Sequence, residues 1–371
     1  MKKIAVILYG IFLLLFTIFS YAFVDPNLSY LKNFYSGFAF SYRLLTTIFY
    51  VFSIVIFFIF YGIFIYLGAK KKINLKEIFM LLSMITVILF LSYPAMLSYD
   101  IFNYIATSKV LFFYHENPYI VMPIEFTGDP FLAFTHATNK IALYGPVWTT
   151  LTGVPYFLGF GNFVINLFEL KLLIGVFYLA ATFLVWKISK NMMSLILFAF
   201  NPLVIIETLV SSHNDIVMIF LALLSFFLLM QKKIFLGALF LILSIFIKYT
   251  TALLVPVFLF MIWKTIKKKE IHFEKIYYYS CILMYIAFLL SPIREEIYPW
   301  YAVWFLSFIF LVIDNKFLIN VSIVFSFSLL LRYVPYIFTG TYAGNTPALK
   351  EIISFGFPVL YSIFYVFKKK V

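Results

Sequence analysis

Residues 4–24 read IAVILYGIFLLLFTIFSYAFV, a continuous run without a charged side chain that is apolar on every face of a helix. Crossing about 30 Å of hydrocarbon takes roughly 20 such residues in a helix. Comparable runs recur from the beginning of the chain to its end. A membrane β-barrel would instead show segments of about ten residues that alternate between apolar and polar. The pattern therefore predicts an all-α polytopic membrane protein.

Composition supports this class, because 64% of the 371 residues are hydrophobic and only 12% are charged. A water-soluble protein of that length needs far more polar surface. The net charge of +13 comes from short Lys clusters between apolar runs, which is typical of cytoplasmic loops rather than of a nucleic-acid-binding surface. We therefore expect no nucleic-acid partner. No soluble domain or repeat is apparent, and residues 1–371 are predicted to form a single transmembrane domain.

Hydropathy predicts a bundle of about twelve transmembrane helices. They lie near residues 4–24, 44–68, 78–98, 166–186, 192–210, 216–230, 234–248, 249–263, 276–293, 301–314, 317–337 and 352–367. The first run is longer than the apolar region of a secretory signal and lacks a clear cleavage site, so it is interpreted as a span. Several middle runs have only about 15 residues, so we expect tilting or shielding by neighbouring helices.

One orientation places every Lys cluster on the cytoplasmic side. With the N-terminus inside, the clusters that fall inside are Lys70, Lys71, Lys72 and Lys76; Lys187 and Lys190; Lys232 and Lys233; Lys264, Lys267, Lys268 and Lys269; and Lys368, Lys369 and Lys370. The C-terminus is then cytoplasmic as well. We expect an integral protein of the cell membrane with its polar site on the external face.

The longest non-membrane stretch is residues 99–146, which this orientation makes an external loop carrying juxtamembrane helices. It is followed by VWTTLTGVPYFLGFG at residues 147–161, an apolar segment interrupted by three Gly residues and a Pro. Counting that segment as a full span would move Lys187 and Lys190 to the outside. We therefore predict that it is re-entrant or interfacial.

Ionisable side chains near the external ends of the spans are candidate site residues, because charges beside lipid are costly unless they are paired or functional. Asp100 follows the third span and is interpreted either as a helix cap or as a general base at the mouth of the bundle. His213, Asn214 and Asp215 form a tight turn that either satisfies itself or contacts a substrate or metal. The role of Glu207, within the fifth span, is left open.

The candidate cations and aromatic residues have two interpretations each. Lys248 ends the seventh span and Arg332 lies in the outer part of its helix, and each either snorkels to the headgroups or holds an anionic lipid phosphate. Arg294 lies in an external loop with Trp300 and Tyr301, which are interfacial belt residues or sugar platforms. The sequence thus predicts an external, half-buried pocket with both acids and cations.

Six motifs follow one another in order within residues 93–304. They are SYDIFNYI at 98–105, ENPYIVMP at 116–123, YGPVW at 144–148, NPLVIIETLVSSHND at 201–215, GALFLILSIFIKYTTALLVPV at 237–257 and YPWY at 298–301. Their order and spacing resemble the GT-C superfamily of glycosyltransferases, especially the polyprenyl-phosphate-mannose-dependent mannosyltransferases of bacteria and archaea. The first two and last two predicted spans carry none of these motifs, so there the resemblance rests on hydropathy alone.

The resemblance implies a GT-C-like bundle that transfers a hexose, mannose in that family, from a polyprenyl-phosphate donor to a glycan or glycolipid acceptor with inversion. It implies that Asp100 accepts the proton of the acceptor hydroxyl. It implies that Lys248, with Arg332 or Arg294, holds the departing phosphate. The residues implied to contact sugar or substrate are His213, Asn214, Asp215, Tyr144, Trp300 and Tyr301. A lipid carrier also fits an external site, because nucleotide sugars are made in the cytoplasm.

One departure from the resemblance concerns metal. Many GT-C enzymes carry paired acids in the first external loop, whereas Asp100 has Tyr99 before it and Phe102 two residues after it. No resident metal or other cofactor is therefore expected. A divalent cation shared by Asp100 with Asp215 or Glu116 across the pocket is left as an alternative.

Two other classes of function are left open. A lipid or glycolipid transporter or flippase would line its path with the same polar groups. Such a carrier should place them near the midplane within matched halves, whereas here they collect at one face. A non-catalytic membrane scaffold is the third class, and the presence of Asp100 and Lys248 argues against it.

Overall fold

The computed structural model describes residues 2–133, 135–293 and 296–370. Over these residues the regular structure is helical and contains no strand. This confirms the predicted all-α polytopic class. The α-helices are α1 (Lys2–Ser20), α2 (Phe38–Ser41), α3 (Arg43–Ala69), α4 (Leu75–Phe90), α5 (Asp100–Phe112), α6 (Pro146–Leu151), α7 (Gly153–Leu158), α8 (Phe163–Ser189), α9 (Met192–Ala199), α10 (Pro202–Ile205), α11 (Asp215–Met230), α12 (Ile234–Ile245), α13 (Val255–Ile266), α14 (Phe273–Leu290), α15 (Ala302–Ile309), α16 (Lys316–Leu331), α17 (Val334–Thr339) and α18 (Thr346–Lys370).

Seven helices of the described chain are long and apolar enough to cross a membrane, fewer than the twelve predicted. They are Lys2–Phe23, Arg43–Ala69, Phe163–Ser189, Tyr249–Ile266, Phe273–Ile293, Lys316–Thr339 and Thr346–Lys368. An eighth candidate combines Met192–Ala199 with Pro202–Val210, which are bent by 55° relative to each other. Pro202 explains the break, because proline cannot donate the helical hydrogen bond of its position.

The remaining predicted spans correspond to shorter helices. Asp215–Met230, Ile234–Ile245 and Pro299–Ile309 are apolar but short. At a rise of 1.5 Å per residue, a twelve-residue helix extends for only about 18 Å of the roughly 30 Å of hydrocarbon. The predicted span 78–98 is helical only as far as Phe90, and Pro94 begins a separate 3-10 turn. The segment 147–161 contains the two six-residue helices α6 and α7.

The two ends of the bundle differ in character. α3 begins at Arg43, which lines a large cavity, and it ends immediately before Lys70. Its 27 residues separate those ends by about 40 Å. At the Lys-rich end, the ammonium of Lys2 pairs with Glu77, which also completes the capping box of α4. The cavity and the Lys clusters on these helices therefore lie at opposite ends of the bundle.

The chain segment that leads into the cavity is fixed by a buried lysine of α8. Lys171 donates from Nζ to the carbonyl of Leu89 at 3.1 Å, and to the carbonyl and hydroxyl of Ser92 at 2.6 and 2.9 Å. These carbonyls belong to the end of α4, where helical partners run out. These three hydrogen bonds anchor the turn that carries the chain on to Asp100.

Candidate active site

A cavity of about 1090 Å³ opens at the end of the bundle away from the Lys clusters. Six residues predicted from the sequence line it, namely Asp100, Tyr144, Lys248, Trp300, Tyr301 and Arg332. His213, Asn214 and Asp215 are buried and are not among the lining residues. Arg294, the third predicted phosphate ligand, lies outside the described residues. The structure thus brings most of the predicted residues to one cavity and leaves the SSHND turn behind its wall.

Asp100 is the first residue of α5, where the helix dipole favours a negative charge. Its Oδ2 atom accepts a hydrogen bond from the Tyr144 hydroxyl and lies 3.4 Å from Nδ1 of His213. Its Oδ1 atom accepts no hydrogen bond from any of the described residues. The carboxylate is therefore held through one oxygen while the other remains available at the cavity.

Opposing effects set the pKa of Asp100. Burial raises this pKa, but the hydrogen bond and positive charge of His213, the Tyr144 hydroxyl and the charge of Lys248 together outweigh burial. The net pKa of Asp100 lies below its ordinary value, so the group is a carboxylate at neutral pH. Burial raises the pKa of Tyr144 well above its ordinary value, so this phenol keeps its hydrogen and stays a donor.

Lys248 forms an ion pair with Asp215, which begins α11. Its Nζ lies 2.8 Å from Oδ1 and 2.7 Å from Oδ2 of that carboxylate. The indole of Trp304 also donates to Asp215 Oδ1, at 2.6 Å. The ammonium lies 4.9 Å from the ring centroid of Tyr144 and 5.1 Å from that of Tyr301, within cation–π distance. Lys248 is thus fixed at the cavity wall by one acid and two aromatic rings.

His213 occupies a fully buried position between two acids. Its Nε2 lies 3.4 Å from Oε2 of Glu207, on the side opposite Asp100. Glu207 belongs to the π-helical turn Ile206–Val210 and accepts a hydrogen bond from Tyr333 at 3.0 Å. The imidazole also stacks on Trp300, with ring centroids 3.8 Å apart and an interplanar angle of 17°. Trp300 therefore has one ring face against His213 while it contributes to the cavity lining.

Arg332 is held more extensively than Lys248. Its Nη2 donates to Glu296 and Glu351, both at 3.0 Å, and its Nη1 donates to the Ser354 hydroxyl at 2.9 Å. Lys350 pairs with the same Glu296 oxygen at 2.6 Å. This network ties the end of α16 to α18 along one wall of the cavity.

Sequence reasoning missed several of these partners. Trp304 escaped notice because a search for ionisable groups ignores an indole inside an apolar run. Lys350 and Glu351 stand immediately before the last predicted span, where a border charge is a detectable signal. Among the described residues no three His, Cys, Asp or Glu side chains are placed to hold one metal ion, and Glu116 does not line the cavity.

The helical membrane bundle has at one end a cavity with a carboxylate and a paired lysine, as expected of a membrane-embedded transferase of the GT-C type. The family model that matches is described as alpha-(1->6)-mannopyranosyltransferase, N-terminal domain, and it covers residues 6–265. The chain belongs to this mannosyltransferase family and is a GT-C glycosyltransferase. Comparisons with curated proteins and with solved structures gave no match. The matched region includes Asp100, His213 and Lys248 but ends before Trp300.

Proposed function

We propose that this mannosyltransferase takes mannose from a polyprenyl-phosphate donor and transfers it, with inversion, to a glycan or glycolipid acceptor. The observation that carries the proposal is the position of Asp100, which lines the cavity and keeps Oδ1 free of any described partner. A general base must come within hydrogen-bond reach of the proton that it removes. Oδ1 meets that requirement for an acceptor hydroxyl inside the cavity.

The proposed reaction is one displacement at the anomeric carbon. The acceptor oxygen forms a bond to this carbon while the bond from the carbon to the phosphate oxygen breaks, and the phosphate leaves with the electron pair. The acceptor proton moves to Oδ1 of Asp100. The lowered pKa of Asp100 keeps it ionised before attack, and the hydroxyl becomes acidic enough to release its proton as the new bond forms.

Lys248 is the proposed electrophilic partner of the leaving phosphate. An ammonium has three hydrogens to donate, and the Asp215 carboxylate engages two of them. The third remains for a phosphate oxygen, where negative charge grows in the transition state. Tyr301 and the ring edge of Trp300 are the proposed aromatic contacts of the sugar in the same cavity, since both faces of Trp300 stack on His213 and Tyr298. Direct substrate contact by His213, Asn214 or Asp215 stays a prediction, as does phosphate binding by Arg332 and Arg294.

We also propose that the cavity faces the exterior of the cell membrane and that both termini are cytoplasmic. The separation of the cavity from the Lys clusters along α3 supports this orientation, because Lys-rich loops favour the cytoplasmic side. A polyprenyl donor places its phosphate at headgroup level and its tail in lipid. Such a donor fits a cavity at the end of the bundle.

The test uses the purified protein in lipid vesicles with polyprenyl-phosphate-mannose and a panel of glycan and glycolipid acceptors. We expect transfer by the wild type, and we expect Asp100→Asn to be slower by about 10²- to 10⁴-fold, because removal of a general base costs that much. The product should have the anomeric configuration opposite to that of the donor.

Glu125→Gln is the matched control, since Glu125 is an exposed carboxylate of the same loop that does not line the cavity. It should transfer at the wild-type rate. Equal rates for Asp100→Asn and wild type would remove Asp100 as the base. Absence of product with every donor and acceptor, from folded protein, would contradict the proposed donor class.

A further inference from the structure

Behind the cavity wall, three buried groups form a line from Asp100 through His213 to Glu207. The two nitrogens of one imidazole each lie 3.4 Å from a carboxyl oxygen. Both separations are ion-pair distances rather than well-formed hydrogen bonds, and neither nitrogen has another partner within the described chain. A buried histidine that faces a carboxyl group on each side has few ways to satisfy its nitrogens.

The local backbone is built to hold this line. Glu207 lies in a π-helical turn, a rare form that shifts side chains relative to an α-helix. Ser212 adopts a left-handed conformation with φ of 57°, which costs about 1–2 kcal/mol for a residue with a side chain. The amide of His213 then donates to the carbonyl of Glu207 at 2.9 Å. These features turn the chain back so that the imidazole lies between the two acids.

The imidazole ring has little freedom to rotate. Trp300 covers one of its faces, and Tyr298 stacks on the other side of Trp300 with centroids 4.5 Å apart. With the ring plane fixed, the hydrogen on Nδ1 can point only toward Oδ2 of Asp100. A carboxyl group at Nε2 decides which nitrogen carries hydrogen, as partners of histidine generally do.

We propose that His213 is a positioning residue that presents an N–H to Oδ2 of Asp100, and that Glu207 fixes the imidazole in the protonation state that does so. This inference rests on the proposed role of Asp100 as the base. With Oδ2 engaged by His213 and Tyr144, rotation of the carboxylate is blocked and Oδ1 is kept toward the acceptor. His213 thus acts through Asp100, a role that needs no direct contact with the substrate.

The lowered pKa of Asp100 agrees with this arrangement, since His213 is the largest of the causes that lower it. The other groups that affect these acids come from several elements. Besides His213, Asp100 is influenced by Tyr144 and Lys248, and Glu207 is influenced by Tyr333, Asp215, Asp100 and Ser211. Of these, only His213 faces both acids through its two nitrogens.

Two substitutions of His213 distinguish the role of Nδ1 from that of Nε2. The amide nitrogen of His213→Asn replaces Nδ1 and still donates to Asp100, whereas that of the longer His213→Gln reaches the position of Nε2 and leaves Asp100. We expect His213→Asn to retain transfer within about tenfold of wild type and His213→Gln to lose about 10- to 100-fold. The acidic limb of the kcat/KM profile should move up by about one to two pH units in His213→Gln, since a charge-assisted bond to Asp100 is lost.

Glu207→Gln keeps the size of the side chain and removes its ionisable carboxyl group, so it should move the acidic limb in the same direction by a smaller amount. His272→Asn is the control for loss of a histidine, because His272 is exposed before α14 and far from the cavity lining. It should leave rate and profile unchanged. If His213→Gln keeps both the transfer rate and the acidic limb of the wild type, the inference is wrong.

A direct titration distinguishes this inference from the proposed function. Infrared difference spectra record the carboxyl band of Asp100, identified by its loss in Asp100→Asn, without any need for turnover. We expect its midpoint to rise in His213→Gln. If the titration midpoint of Asp100 rises in His213→Gln while Asp100→Asn keeps full activity, His213 still positions Asp100, but Asp100 is not the general base. An unmoved midpoint would overturn the positioning alone, whatever the activity, and a melting temperature equal to wild type shows that the variant is folded.

Discussion

Lys248 and Arg332 are both cations that line the same cavity, yet their surroundings differ. Lys248 has one acid as its partner, and 13% of its side chain is exposed. Arg332 has two acids and a hydroxyl, and only 2% of its side chain is exposed. The acids around Arg332 are themselves more open, since 37% of Glu296 and 47% of Glu351 are exposed, against 1% of Asp215.

This difference separates two uses of a buried cation. The guanidinium of Arg332 donates hydrogen bonds that tie the end of α16 to α18. Lys350 contributes a second positive charge beside Glu296 and Glu351. The ammonium of Lys248 keeps one donor uncommitted in the cavity that Asp100 also lines. The sequence left the same two interpretations open for both cations, and the resemblance made Arg332 a helper of Lys248 on the phosphate, whereas their partners favour Lys248 for chemistry and Arg332 for structure.

Among the substitutions that test this comparison of the two cations, Lys248→Met should have the largest effect. We expect transfer to fall by about 10²- to 10³-fold, as when one electrostatic contact to a transition state is removed. Stability should fall as well, by about 3–5 kcal/mol, because buried Asp215 is left with an uncompensated charge. Rates per folded protein and melting temperatures measure the two effects separately.

The double variant Lys248→Met with Asp215→Asn sharpens this prediction. It should regain stability, since no buried charge remains unpaired, and it should not regain transfer. Lys264→Met, on the opposite end of α13 from the cavity, is the matched control and should be unaffected in transfer. Recovery of transfer in the double variant would mean that Lys248 serves only to balance Asp215.

The comparison of Lys248 with Arg332 also shows which parts of the site the sequence can predict. Asp100 and Lys248 were found because a charge beside an apolar run is conspicuous in one dimension. The pairing of Lys248 with Asp215 joins residues 33 positions apart, and it depends on how α11 and α12 pack. No spacing rule along the chain predicts such a contact. The same holds for Tyr333 on Glu207, which are 126 positions apart.

The helices also divide into features that the sequence predicts and features that it does not. The long apolar runs predicted α1, α3 and α8 well, because length and hydropathy are local properties. Breaks were harder to place. Hydropathy continues through Pro94 and Pro202, whereas the helices end near them because proline lacks an amide hydrogen. The predicted twelve spans therefore include several helices that are too short to cross hydrocarbon on their own.

Arg332→Met should have a smaller effect on transfer than Lys248→Met. It tests whether Arg332 serves structure rather than the reaction. We expect a loss of about 1–3 kcal/mol of stability, less than for a fully buried pair, because Glu296 and Glu351 are half-exposed and screened by solvent. Transfer per folded protein should stay within about tenfold of wild type. Thermal unfolding and initial rates in the same lipid give both values.

Charge balance provides the control for Arg332. Arg332→Met leaves Lys350 as the cation of this network against the two acids Glu296 and Glu351, so adding Glu351→Gln restores neutrality. This double variant should recover both stability and transfer, unlike the double variant at Lys248. A loss of transfer that persists after stability returns would place Arg332 on the phosphate and erase the distinction between the two cations.

The smallest effect is expected from loss of the Tyr144 hydroxyl. Tyr144 contacts Asp100 through this hydroxyl and Lys248 through its ring. Tyr144→Phe keeps the ring beside the Lys248 ammonium and removes the donor to Asp100. The hydroxyl lowers the pKa of Asp100, so its loss raises that pKa, and the base becomes protonated at a higher pH as the solution is acidified. The acidic limb should therefore move up by about one pH unit, since a hydrogen bond from an uncharged donor to a carboxylate contributes roughly 1.5 kcal/mol and His213 still acts on Asp100 more strongly. A kcat/KM profile that moves downward, or a rate loss as large as that of Lys248→Met, would show that Tyr144 acts on the substrate rather than through Asp100.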